Sequence, residues 1–221
     1  MSTQLIIVGA GEFAMIAYEY FTHDSQYEVV AFAVEADFKK GDSFLDKPLL
    51  DLETLSSQFS PSDYHIFVAV SFVKLNRVRA RLFDLVKSWG YTCASYVSSR
   101  AFKWHNVELG ENCFVFEHNT LQPFVKIGNN VILWSGNHIG HQTLIEDHCF
   151  ISSHVVISGF CKIGAFTFMG VNTAVADEVA IAQDNFIAMG TAIHKNTEPN
   201  KIYKGIPGQA AAVSATQKFN V

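Results

Sequence analysis

The sequence is short of charge. Only 17% of its 221 residues are Asp, Glu, Lys or Arg, against about a quarter in an average soluble protein. The balance is mildly acidic, 16 Lys and Arg against 21 Asp and Glu, which argues against nucleic-acid binding, since that function shows a basic face. No apolar run approaches the roughly 18 residues of a membrane span, so no membrane contact is expected. The opening Met1-Ser2-Thr3-Gln4 has no basic stretch, and Leu5 to Val8 is too short for the apolar core of a secretion signal. The four cysteines, Cys93, Cys113, Cys149 and Cys161, form no CxxC pair and give no disulfide framework. These absences predict a reduced cytoplasmic protein. What is plentiful is apolar surface: 49% of the residues are hydrophobic and 19 are Phe, which excludes intrinsic disorder.

The second half repeats. From Leu109, through Val115, Leu121 and Ile127, to Ile193, every sixth residue is aliphatic without a break. The residue two before each aliphatic is small or β-branched, as in Val107, Cys113, Asn119 and Thr143, and the residue after it is often Gly or Ala. A period of six fits neither a helix at 3.6 nor an alternating strand at 2. It fits a short strand followed by a tight turn, with three such units closing a triangular coil. The aliphatic fills the interior, and the small residue sits at the corner. About five coils stacked at about 4.8 Å per rung make a prism about 24 Å tall.

This pattern resembles the hexapeptide-repeat acyltransferases, whose coils form a left-handed parallel β-helix. The resemblance implies a homotrimer with active sites between neighbouring prisms.

The first half opens with the apolar strand Leu5-Ile6-Ile7-Val8 and the turn Gly9-Ala10-Gly11-Glu12-Phe13-Ala14, a GxGxxA pattern leading into a helix over 12–22. A strand at Tyr27–Val34 follows, then Glu35 and Asp37, either of which is placed to catch a ribose hydroxyl. A helix at 51–58, a strand at 65–71, a helix at 74–89 and a strand at 91–97 complete a small βαβ unit, with 98–106 as the connection to the prism. A tight strand-to-helix turn that binds nothing gives the same glycines. About four strands are too few for a full dinucleotide domain, so NAD is disfavoured and one nucleotide is the better fit, held by Gly9, Gly11 and Glu35 or Asp37. The chain is expected to divide into a Rossmann-like nucleotide-sugar domain over 1–98, the β-helix over 99–195, and a tail over 196–221.

A Rossmann-like domain ahead of a hexapeptide prism resembles the bacterial acetyltransferases of nucleotide-linked 4-amino sugars, or of sialic acid. The tail Tyr203-Lys204-Gly205-Ile206-Pro207 resembles the family's Gly-x-Pro close, with Gly208-Gln209 where the family has Ala-Lys.

Acyl transfer from a thioester needs a base and a donor for the oxyanion. His141 lies two after Ile139, outward-facing, and the residue one coil later is Gly159. A bare glycine amide one rung from a histidine is a base paired with an oxyanion donor, and Ile139-Gly140-His141 and Ser158-Gly159 match the family's base and glycine segments. The family's carboxylate after the base is replaced by Gln142, which can hydrogen-bond the ring without offsetting its charge. Either His141 works with less electrostatic help, or its role as base is weakened. His118, His138, His148 and His154 are read as solvated side chains, and no compact metal motif is present, so no metal is expected. Three of the cysteines occupy the small corner position, which disfavours a covalent acyl-Cys.

For coenzyme A, the resemblance implies Gly159, Val171 and Gly190 along the pantetheine path and Gly205 and Pro207 near the adenine end. The function implied is acetyl transfer from acetyl-CoA to a nucleotide-linked amino sugar, a 4-amino-4,6-dideoxy sugar by analogy, for bacterial surface polysaccharide. O-acetylation of the sialic acid type, and a non-catalytic nucleotide-sugar binder, stay open beside it.

Overall fold

The computed structural model describes residues 3–208, 210 and 212–219, so that Met1, Ser2 and Gln209 lie outside the described residues. The first part is a five-stranded sheet in the order β3-β4-β2-β1-β5, built from β1 (Thr3–Val8), β2 (Tyr27–Val34), β3 (Ser43–Phe44), β4 (Lys47–Asp51) and β5 (Tyr64–Val68). All neighbours are parallel except β3 with β4. The central strand β1 is apolar throughout because both of its faces are covered. Leu5 and Ile7 join the core shared with α1 (Glu12–His23), whereas Ile6 and Val8 join the core shared with α3 (Arg77–Ser88).

Four local expectations change. The helix expected over 51–58 is a 3-10 turn at Leu52–Thr54 followed by the one-turn α2 (Leu55–Gln58), and it is preceded by the unexpected strand β4. The β3–β4 hairpin turns on Leu45 and Asp46, both at positive φ (49° and 59°), as a two-residue hairpin loop requires; Leu is a poor advertisement for such a turn. The strand at 65–71 stops at Val68, and α3 begins at Arg77 because Lys74, Leu75 and Asn76 are all left-handed. The strand at 91–97 contributes only a bridge between Ile66 and Cys93; its end, Tyr96–Val97, already belongs to the prism.

The prism is a stack of three parallel sheets of seven, six and five strands. On the first face the strands run from Tyr96–Val97 and Phe114–Val115 to Phe186–Ile187, on the second from Phe102–Lys103 to Ala192–Ile193, and on the third from Glu108–Leu109 to Ala180–Ile181. Residues 98–106 are therefore not a connection but part of the first coil. The hexad rule missed them because Lys103 stands in the aliphatic position, where the open end of the prism leaves it exposed. A last strand, Ile202–Tyr203, closes the first face against Phe186–Ile187. Inside, the aliphatic series and the small apolar corner residues form one core, from Val107 to Ile193.

Each corner is turned by a single residue at positive φ, three after the aliphatic, from Asn112 through Gln142 and Phe160 to Gly190. Asn and Gly tolerate this region best, and Asn112, Asn130, Gly136, Asn172 and Gly190 occupy it.

The outward residue of each strand decides what its face does. On the third face it is Glu108, Lys126, Leu144, Lys162 and Ala180, with Lys126 paired to Glu108 at 3.1 Å, a solvated surface. On the first face it is Tyr96, Phe114, Ile132, Phe150, Phe168 and Phe186, a ladder whose top rings stack at 4.7 Å between Phe168 and Phe186. The α/β unit lies over this ladder. Phe13 and Phe21 of α1 meet Phe114 edge-on at 5.7 and 5.8 Å, and β1, α1 and the ladder form one core. Asn112 extends β5 by proxy: its side chain accepts from the Val68 amide at 2.7 Å and donates back to the Val68 carbonyl at 3.3 Å.

Arg79 of α3 is the polar rivet of this contact. It is fully buried and has no carboxylate among its bonded partners. Its guanidinium donates to the carbonyls of Val70, Ser71, Asn130 and Cys149 and to Asn130 Oδ1, at 3.0–3.2 Å. Burial pulls its pKa down to about 10. Replacing Arg79 by Met should leave the Val70, Ser71 and Asn130 carbonyls without their donor, while the Cys149 carbonyl keeps the Ile132 amide, and should cost about 2–4 kcal/mol in urea unfolding. Arg79→Lys should recover only part, because an ammonium does not reproduce the planar fork. An Arg79→Met protein as stable as wild type would show the cluster to be dispensable.

Candidate active site

Two constructions are candidates for chemistry, one at a corner of the prism and one over its first face. The first lies where the second face turns into the third. Strand His138–Ile139 delivers Gly140 and His141 to this corner, and strand Val156–Ile157 delivers Ser158 and Gly159 one coil later. His141 is exposed and its ring lies on Gly159: a Cβ added there would sit 2.6 Å from Cε1 and 3.0 Å from both Nδ1 and Nε2 of the imidazole. Only glycine leaves room for the ring. The Gly159 carbonyl accepts from Glu178, and the Phe160 amide donates to the His141 carbonyl at 2.9 Å, so the rungs are locked in register. Among the described residues the Gly159 amide donates to no acceptor, which leaves it free for a ligand oxygen. Phe160 closes one side of the ring edge-on at 4.9 Å.

Gln142 does not reach the imidazole. It is the left-handed turn residue of its corner, with φ 57°, its amide donates to the Pro123 carbonyl at 3.1 Å, and its exposed side chain bonds to nothing among the described residues. The group beside the ring is Gln122, one coil earlier, whose Oε1 accepts from the His141 amide at 2.9 Å and lies 3.3 Å from Nδ1. The sequence carries a signal for it: Gln122 occupies the position after the aliphatic, where Gly and Ala prevail.

The second construction is a cavity of about 910 Å³ between the α/β unit and the first face. Its floor is the Gly9–Phe13 turn at the carboxyl ends of β1, β2 and β5, the usual ligand position in an open α/β sheet. Gly9 and Gly11 have different reasons to be glycine. Gly9 has φ 131°, and a Cβ there would meet the Ala69 carbonyl oxygen at 2.7 Å, so the turn itself demands it. At Gly11 nothing lies within 4 Å, and its openness adjoins the cavity at the start of α1. Phe38, Phe44, Phe72 and, from the prism, Trp134 and Phe150 supply apolar walls; Glu12, Lys40, Lys74 and Arg81 supply charge. Trp134 and Phe150 escaped the hexad reading, although Trp134 also breaks the small-residue rule after the aliphatic.

Glu35 lines this cavity, and Asp37 lines only a smaller one beside it, about 350 Å³, which Glu35 shares. Glu35 is engaged by Arg81 in a two-point ion pair at 2.9 and 2.7 Å. The Arg81 hydrogen bonds hold its carboxyl below the usual range.

Val171 and Gly190 sit at the corner between the first and second faces, where the Gly190 amide donates to the Val171 carbonyl at 2.8 Å. Gly205 packs on the same corner, since a Cβ there would lie 2.5 Å from the Met189 oxygen; Pro207 is exposed beyond it. One chain therefore gathers Gly159 with His141, and Val171 with Gly190 and Gly205, on opposite edges of the second face.

Residues 124–159 match the bacterial transferase hexapeptide (six repeats) family. The prism is a hexapeptide-repeat, left-handed parallel β-helix. No curated protein matches the chain. Among solved structures, the acetyltransferase domain of PglB from Neisseria gonorrhoeae superposes with a TM-score of 0.81 at 19% identity, covering 90% of this chain and 95% of that one. The same domain has been solved with acetyl coenzyme A, with a TM-score of 0.78, 19% identity and coverage of 91% and 96%. A mutant of perosamine N-acetyltransferase from Caulobacter crescentus, in complex with CoA and GDP-perosamine, gives 0.80 at 21% identity, covering 90% and 92%. The chain is similar to these along nearly its whole length, α/β unit included.

Of the other histidines expected to be solvated, His118 and His154 are exposed and His138 is partly buried. His148, expected to be solvated, is half-buried: its Nδ1 is 2.9 Å from Asn130 Nδ2, its ring stacks on Phe166 at 4.7 Å, and burial lowers its pKa. Cys93, Cys113, Cys149 and Cys161 are all buried and free. Burial pushes the thiols of Cys93, Cys113 and Cys149 up to about 12, so thiolate is scarce at neutral pH. The native protein should therefore titrate with a chromogenic disulfide as having essentially no reactive thiol, and the denatured protein as having all four. Rapid reaction of one thiol in the native state would reopen a covalent cysteine route.

Proposed function

We propose that the protein transfers the acetyl group of acetyl-CoA to the amine of a nucleotide-linked amino sugar, a 4-amino-4,6-dideoxy sugar, in the cytoplasm and for a bacterial surface polysaccharide. The observation that carries this reading is the stacking of the His141 imidazole on Gly159, whose amide is free. The sugar amine attacks the thioester carbonyl, and its proton passes to Nε2 of His141. The Gly159 amide stabilises the oxyanion of the tetrahedral intermediate. The intermediate collapses by breaking the carbon–sulfur bond, and coenzyme A leaves with the proton that His141 returns. The high thiol pKa values support transfer without an acyl-cysteine.

The cavity over Gly9 and Gly11 is the site for the nucleotide. Gly11 allows a diphosphate to approach the start of α1, where backbone amides and the helix dipole favour an anion, and Glu35, already polarised by Arg81, accepts from the ribose. Asp37 has no part in that cavity.

Within one chain the cavity lies on the first face and His141 at the far corner, where the second and third faces meet. A second copy resolves this. The second face is the surface suited to it, because its outward residues, Phe102, Thr120, His138, Val156, Ala174 and Ala192, carry no acid, Lys or Arg, and Phe102 and Val156 are exposed. In this reading the face packs on a neighbouring corner, a heterologous contact that closes as a ring of three prisms. Coenzyme A would then run in the groove between prisms, from Gly159 of one chain to Val171, Gly190, Gly205 and Pro207 of the next. An amine acceptor is favoured over the hydroxyl of a sialic acid, since the amide at Gln122 gives the base no carboxylate support and an alcohol demands a stronger base.

The test is thiol release from acetyl-CoA across UDP-, dTDP- and GDP-linked amino sugars and sialic acid. Release with one amino sugar, reduced at least about a hundredfold in His141→Ala, is expected. Release with sialic acid alone would replace amine by hydroxyl, and binding of a nucleotide sugar with no release would make the protein a binder. Gly11→Ala should fold normally and weaken nucleotide-sugar binding by about tenfold or more, measured by calorimetry. Mixing inactive His141→Ala with a binding-dead Gly11 variant, after dissociation and reassembly, should restore part of the activity; no recovery would place the whole site in one chain. Val156→Glu should dissociate the assembly in light scattering and abolish turnover.

A further inference from the structure

The corner that carries His141 has no carboxylate on the ring, yet the ring is not left to rotate freely. The backbone amide of His141 can only donate, and it donates to Oε1 of Gln122 at 2.9 Å. That bond fixes which end of the carboxamide faces the histidine: the oxygen does, and the amino group is turned elsewhere. The same oxygen is 3.3 Å from Nδ1 of the imidazole. An oxygen that has no hydrogen to give can be met there only by a ring nitrogen that carries one. A neutral imidazole with its hydrogen on Nδ1 has a bare lone pair on Nε2, on a ring that lies over Gly159 with Cε1 nearest and its two nitrogens equidistant.

Gln122 is well held for this task. Its amide donates to the Ile139 carbonyl at 3.1 Å, and the next residue, Pro123, accepts from the Gln142 amide. Gln122 and Pro123 thus bracket His141 and Gln142 rung against rung, and proline restricts the backbone of the residue before it. We propose that Gln122 is the positioning residue of this site, which selects the Nδ1–H tautomer of His141 and so leaves Nε2 free to take a proton. The task that the sequence pattern gave to Gln142 is performed from the preceding coil. Its catalytic consequence rests on the reading of His141 as the base; the tautomer does not. A neutral orienting group also matches an amine acceptor, because attack on the thioester leaves a positively charged, acidic nitrogen whose proton a modest base removes.

The experiment uses the full-length protein with isotope-labelled histidine. The ring nitrogens of His141, assigned by difference against His141→Asn, are followed by nuclear magnetic resonance in wild type, Gln122→Ala and Gln122→Glu at a pH where the ring is neutral. Wild type should show a protonated Nδ1 and a bare Nε2. Gln122→Ala should show the two tautomers mixed, with kcat lowered on the order of tenfold or more and KM for acetyl-CoA unchanged. Gln122→Glu, which keeps an acceptor oxygen in place, should restore both the tautomer and most of kcat. A wild-type ring protonated on Nε2, or a tautomer unchanged in Gln122→Ala, overturns the proposal. If the tautomer responds as stated while His141→Ala still turns over, the proposal on Gln122 stands and the base assignment falls.

Discussion

The arrangement depends on one contact, the burial of the aromatic ladder of the first face under α1 and the edge of the α/β sheet. A triangular prism with a uniform interior has no inherent front. Phe114, Phe150 and Phe168 supply one, because large aromatic side chains each carry about 150–250 Å² of surface that must leave water. Once that face is covered, the rest follows. The loop after β5 is pinned between Arg79 and the prism, the cavity opens at the carboxyl ends of the strands against Trp134 and Phe150, and the second face is left without charged outward residues. The third face, by contrast, is charged, with Lys126 and Lys162 in ion pairs.

Much of this was legible in the sequence, because the prism repeats one decision many times. Ile139, Ile145 and Ile151 each report the same interior, so a single misleading residue does not hide it. Where the repetition stops, the reading fails: Lys103 in the first coil and the strand Ile202–Tyr203, which pairs out of step, carry no hexad signature. The α/β unit was read less well, since each of its elements is stated once. Leu45, Lys74 and Leu75 adopt left-handed conformations that their side chains disfavour, and local propensity could not announce either the β3–β4 hairpin or the late start of α3.

At the candidate site, spacing brought His141 and Gly159 together because residues one coil apart are neighbours in any such prism. It could not choose between Gln142, next in sequence, and Gln122, next in space. The ladder on the first face was equally hidden in a six-residue frame. It emerges only when every third outward residue is taken, from Tyr96 to Phe186, since the face recurs once per coil and not once per strand.

The three-sided coil also limits how such a chain can change length. Adding one hexad between Trp134 and His141 would keep every interior position filled and every rung paired, yet it would carry the histidine, and Gly159 with it, a third of a turn around the prism axis, away from Gln122 and from its setting relative to the covered face. Three hexads together restore the phase and lengthen the rod by a single rung. Growth of this protein is therefore quantised in whole coils, and the relation between the covered face and the His141 corner behaves as an angular setting, unchanged only when whole coils are added between them.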